Sequence, residues 1–130
     1  MALYKTFKSM NGGENKEEEN NYQVLNINTT QERLNHIGSH KIIVINYHTD
    51  WCGPCKSSAG EYAKLAQKYS KPGFCMLLKE NAEIAENLPS AVTGVPCFHF
   101  YLNGQHIPDA TVTGADIPTV EQNINNFLNM

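Results

Sequence analysis

The chain has 130 residues, 41% of them hydrophobic and 18% charged, with a formal net charge of −3. That composition suits one domain with a sizeable core. Its mild acidity, with a sequence pI of about 5.9, excludes the basic footprint of a nucleic-acid binder, and no apolar run nears the roughly 20 residues that span a bilayer.

The N-terminal stretch MALYKTFKSM lacks the apolar h-region of a secretory leader, so a cytoplasmic protein is expected. Asn11 to Asn21 reads NGGENKEEENN, polar and acidic with no apolar residue. Residues 1–21 therefore read as a flexible, solvated extension, and residues 22–130 as the folded domain. Tyr22 to Asn28 is expected to be a short strand. Thr29 and Glu32 fit a capping box, opening a helix with Leu34 and Ile37 on its apolar side and Gly38-Ser39 at its end. Lys41 to Thr49 (KIIVINYHT) holds the β-branched run Ile42-Ile43-Val44-Ile45, suited to a central strand covered on both faces. A helix follows from Gly53 to Tyr69, with Tyr62, Leu65, Ala66 and Tyr69 on one side. Lys71-Pro72-Gly73 stops it. Phe74 to Leu78 is a buried strand, and Ala82 to Leu88 is expected to be a short helix with Ile84, Ala85 and Leu88 inward. Val95 to Leu102, Asn103-Gly104 and Gln105 to Thr113 read as a hairpin. Asp116 caps a last helix striped by Val120, Ile124, Phe127 and Leu128. Parallel strands joined by helices and closed by a hairpin predict an α/β fold, a mixed central β-sheet flanked by helices on both faces.

Between the central strand and the long helix stands Trp51-Cys52-Gly53-Pro54-Cys55-Lys56. Spacing of three puts both thiols on one helix face, at a separation that a disulfide can bridge. Cys52 sits at the positive end of the helix dipole, which favours its thiolate. Pro54 falls in the first turn, where a missing N–H removes nothing the helix uses. Gly53 lets the backbone turn beside a sulfur that a substrate must reach. Two plainer readings stand beside a redox pair. A structural disulfide over so short a loop removes little chain entropy. Half of a zinc site needs further ligands, and Cys75, Cys97, His36, His40, His99 and His106 show no ligand spacing, so neither a metal nor a cofactor is expected.

WCGPCK at the end of a buried strand resembles the thioredoxin family. Gly94-Val95-Pro96, opening a later strand, is similar to that family's cis-proline loop, and Gly114-Ala115 to the glycine on the rim of its substrate groove. The resemblance covers about residues 22–130 and implies the thioredoxin fold. It further implies thiol–disulfide exchange: Cys52 attacks a substrate disulfide, and Cys55 resolves the mixed disulfide. Trp51, Gly53, Pro54, Val95, Pro96 and Gly114 would form the substrate groove. The implied partners are disulfide-containing proteins and an NADPH-dependent thioredoxin reductase, with the chain acting as a monomer. A specialised disulfide oxidant or isomerase in an assembly pathway, and a thioredoxin-fold binding module, remain open beside the reductant.

Four positions depart from the family pattern. Asn46 stands where a buried aspartate is usual, six places before Cys52, and His48 replaces an aromatic two places later. Gly60 stands where a proline bends the long helix, and Leu77 falls, by ungapped count, on the family's lysine. Asn46 cannot take a proton, so His48 is read either as a substitute acceptor or as a packing residue. Cys97, directly after Pro96, is either a third thiol near the pair or a buried inert one; Cys75 reads as a core thiol.

Overall fold

The computed structural model describes residues 23–130. The expected 1–21 extension, and Tyr22 at the expected start of the first strand, lie outside them. Strand β1 (Leu25–Ile27) leads into helix α1 (Thr30–Ser39), β2 (Ile42–His48), α2 (Gly53–Tyr69) and β3 (Cys75–Asn81). After a long loop come β4 (Cys97–Leu102), β5 (Gln105–His106), β6 (Val112–Thr113) and α3 (Ile117–Leu128). The sheet runs β1-β3-β2-β4-β5, with β6 also paired to β4. β1, β3 and β2 are parallel, while β4 runs antiparallel to β2.

Period-two alternation along β2 feeds two cores. Ile42 and Val44 join Leu77, Phe98 and Phe100 beneath α2 and α3, which contribute Tyr62, Leu65, Ala66, Val120, Ile124 and Phe127. Ile43, Ile45 and Tyr47 turn to the opposite face with Met76, Leu78 and Ile37 of α1. Each fully buried aliphatic or aromatic side chain contributes about 1.5–3 kcal/mol, so a strand covered on both faces anchors the whole sheet. Tyr62 brings a hydroxyl into the first core and satisfies it by donating to the carbonyls of Leu78 (2.9 Å) and Val44 (3.3 Å).

The Thr29 half of the expected capping box forms, while the return bond from Glu32 lands one residue before the cap, on Asn28. Thr29 Oγ1 accepts from Glu32 N–H (3.1 Å), and Glu32 Oε1 accepts from Asn28 N–H (2.8 Å). The buried side of α1 differs, however. Arg33 and Ile37 face inward, while Leu34 is 53% exposed. Arg33 is drawn in by Glu80, which accepts from Nε (2.9 Å) and Nη2 (3.0 Å). That pair also explains why β3 runs past Leu78 to Asn81. Glu80 finds a buried cation there, and the strand need not end at the first charge.

Ala82 to Leu88 is not a helix, and Ile84 is 76% exposed. The segment makes one turn and is then held as a loop by a left-handed residue and by a distant side chain. Asn81 Oδ1 accepts from Glu83 N–H (2.9 Å), and Asn87 adopts a left-handed φ of 51°. The carbonyls of Glu86 (2.7 Å) and Asn87 (3.2 Å) are taken by the Arg33 guanidinium. The hairpin turn is as expected, with φ of 52° at Asn103 and 85° at Gly104. Its second arm is broken, because Pro108 starts a 3₁₀ turn (Pro108–Ala110) between β5 and β6.

Candidate active site

Cys52 is the N-cap of α2, and its sulfur accepts from Cys55 N–H (3.1 Å). Gly53 and Pro54 occupy the first helical turn, and the two cysteines form a disulfide across a Cα separation of 5.2 Å. Cys52 does not stand out as an exposed sulfur: in the oxidised pair both cysteines are 5% exposed. What separates them is the space each one faces.

Cys52 lines a groove of about 480 Å³ with Trp51, Gly53, Pro54, Leu88, Val92 and Val95. The Val95-Pro96 peptide bond is cis. Pro96 and Gly114 are not among the groove's lining residues. They are tied to each other where Gly114 N–H donates to the Pro96 carbonyl (2.9 Å), with Gly114 at a φ of 90°. Trp51 is 68% exposed beside the groove. Gly53 does not use glycine's conformational freedom, since its φ is not positive. A Cβ there would meet nothing within 4 Å, so what glycine contributes is open space next to Cys52.

Cys55 lines a second, smaller cavity of about 220 Å³ with Asn46, His48 and Lys79. Asn46 and His48 share the sheet face beneath α2, and Asn46 pairs in register with Lys79. The expected loss of a lysine is thus corrected. Leu77 is fully buried in the core, and Lys79, two residues on, occupies the cavity. An ungapped count could not reveal this shift. The signal was the charged Lys79-Glu80 pair directly after the buried run. Burial is the main factor lowering the His48 pKa; Lys79 adds to it and Asp50 opposes it.

Cys97 lies on the other sheet face from Asn46, 1% exposed among Ile45, Tyr47 and Met76, and burial pushes its thiol pKa up. Cys75 is fully buried in the first core, its thiol pushed up to about 12 by desolvation. Both are free. Among the described residues no cluster of three or more His, Cys, Asp or Glu side chains could hold a metal ion.

A mixed sheet that presents a CxxC disulfide at a helix N-terminus, beside a cis-proline loop, defines a thiol–disulfide oxidoreductase. Residues 21–128 match the family model described as Thioredoxin, and the chain belongs to that family. It is 32% identical over 99 residues to a thioredoxin of Neurospora crassa, covering 72% of this chain and 78% of that one. It is 34% identical over 93 residues to a protein disulfide-isomerase of Oryctolagus cuniculus, covering 68% of this chain but 17% of that protein. The solved thioredoxin of Malassezia sympodialis superposes with a TM-score of 0.68 at 27% identity, covering 80% of this chain and 90% of that one. The Cys52–Cys55 disulfide and these relatives identify thiol–disulfide exchange as the chain's chemistry.

Proposed function

We propose that the chain is a reductant of protein disulfides, with Cys52 as nucleophile and Cys55 as resolving thiol. The observation that carries this is the placement of Cys52 alone on the groove. A substrate sulfur arriving there meets Cys52 first, while Cys55 faces away into the second cavity. Cys52 attacks as thiolate, stabilised by the helix N-terminus and by the Cys55 N–H. A mixed disulfide forms, Cys55 displaces the substrate sulfur, and the dithiol is oxidised as the substrate is reduced.

Gly-Pro between the cysteines supports a reducing poise, because it adds no cation or side-chain donor that would overstabilise the Cys52 thiolate. The groove walls Trp51, Val92 and Val95 suit an extended segment, with the Val95 backbone offering strand-like hydrogen bonds. An NADPH-dependent thioredoxin reductase would return the dithiol to its reduced form. A reducing compartment such as the cytoplasm would supply that reductase. The deciding measurement is the reduction potential of the pair, with insulin reduction driven by NADPH and a thioredoxin reductase. A potential near about −270 mV with turnover supports the reading, and one near about −120 mV would overturn it.

A further inference from the structure

The groove beside Cys52 has a task in disulfide exchange; the cavity beside Cys55 has been given none. Three buried polar atoms around that cavity, Asn46 Oδ1, His48 Nε2 and Thr49 Oγ1, have no hydrogen-bond partner in the protein. Buried polar atoms are nearly always satisfied by protein or by ordered water. A space of about 220 Å³ has room for water, at roughly 30 Å³ per molecule. Cys55 lines the same space, so these unpartnered groups and the resolving residue share one cavity.

We infer that this cavity is the proton route of the resolving step, and that His48 Nε2, acting through water, accepts the proton of the Cys55 thiol. The inference rests on the reductive reading above. Cys55 must become a thiolate while it is buried, and burial disfavours the charged form. Of the groups that face the cavity, Asn46 cannot take a proton, and Lys56 and Lys79 are cations. Asp50 stands at the exposed mouth. His48 is left. Its pKa lies below the ordinary 6.5, so the ring is neutral at neutral pH and free to accept. In the step, the Cys55 S–H bond breaks and its proton passes to His48. The Cys55 sulfur bonds to Cys52 Sγ, and the bond from Cys52 to the substrate sulfur breaks. The departing thiolate keeps the electron pair and is protonated by water. Two electrons leave the dithiol and reduce the substrate disulfide.

The test mixes reduced protein with excess of an aromatic disulfide whose released thiolate absorbs visible light. The first release reports attack by Cys52, and the second reports resolution by Cys55. His48→Phe and His48→Gln should slow the second release roughly tenfold or more at pH 7 and leave the first unchanged. The wild-type second phase should rise with pH through an inflection below 6.5, absent from both variants. Adding Asn46→Asp to His48→Phe should restore the second phase, because a carboxylate at buried position 46, unlike the exposed Asp50, is sheltered from solvent on the cavity that Cys55 lines. An unchanged second phase in both variants, or parallel slowing of both phases, would overturn the role of His48. Absence of the first release from the wild-type protein would instead overturn the reductive reading, and the inference with it.

Discussion

Cys52 and Cys55 are equally buried as a disulfide, so accessibility in the oxidised form does not rank them. Their positions do. Cys52 is the N-cap residue, where the helix dipole and an N–H favour the thiolate, and it alone lines the groove. Iodoacetamide at neutral pH should therefore modify Cys52 of the reduced protein first, as read by peptide mass mapping; faster labelling of Cys55 would reverse the roles. His99 makes a separate residue-scale case. It is fully buried, with neither ring nitrogen hydrogen-bonded within the protein, edge-on to Tyr47 (5.2 Å between centroids) and tilted against His106 (4.6 Å). Desolvation, aided by His106, lowers its pKa from 6.5 to about 4. A histidine with a folded pKa below its unfolded value favours folding when neutral. That contribution is full above pH 6.5 and fades as pH falls towards 4, by roughly 3 kcal/mol in total. His99→Phe should flatten this part of the acid unfolding profile, measured by urea denaturation at pH 7 and pH 4.5. An equally steep profile in the variant would place the loss elsewhere.

Helix α2 runs unbroken through Gly60, where the family pattern has a helix-bending proline. Gly60 is exposed, its φ is not positive, and an added Cβ meets nothing within 4 Å. Gly60→Ala should thus stabilise the protein by about 0.5–1 kcal/mol, seen as a raised urea midpoint. Loss of stability would mean that glycine at this position serves something other than the helix. The loop after β3 is held by Arg33, which binds Glu80 and the carbonyls of Glu86 and Asn87 with one fork. The same loop supplies Leu88, Val92 and Val95 to the groove. Arg33→Met leaves Glu80 buried and unpaired, at a cost of about 3–5 kcal/mol. Arg33→Met with Glu80→Leu should recover part of that stability but not the loop anchor. The double variant should show faster amide exchange over residues 82–95 and a raised KM for a protein disulfide. Unchanged exchange there would mean the loop is held by other contacts.

At the scale of the molecule, the two cores, the six-stranded sheet and both cavities are built from residues 23–130. Residues 11–21 are polar and acidic with no apolar side chain, and the few apolar side chains of residues 1–21 are confined to the first ten positions. Removal of residues 1–21 should leave Tm within a degree or two (about 0.5 kcal/mol at most for residues outside packed features) and disulfide reduction unchanged. A large fall in either would show that this segment docks, with Tyr4 and Phe7 the apolar side chains to substitute next.

The sequence by itself determined what depends on local spacing. The Ile42–Ile45 run demanded a strand covered on both faces, Thr29 and Glu32 set a helix start, and Asn103-Gly104 set a turn with two positive φ angles. The Cys52-Gly53-Pro54-Cys55 order placed two thiols on a first helical turn. Each of these is decided by a few residues acting on their own neighbours. What only the tertiary structure decided involves residues far apart in the chain. Arg33 reaches across 47 positions to Glu80, and that pairing turned Leu34 outward and extended β3, while the same guanidinium holds the loop after β3 by the carbonyls of Glu86 and Asn87. Lys79 meets Asn46 only through the register of two parallel strands, which no ungapped count can supply. Charge pairing and strand register are set by the closure of the whole sheet. They gave Cys52 its groove and Cys55 a polar cavity beside Asn46, His48 and Lys79.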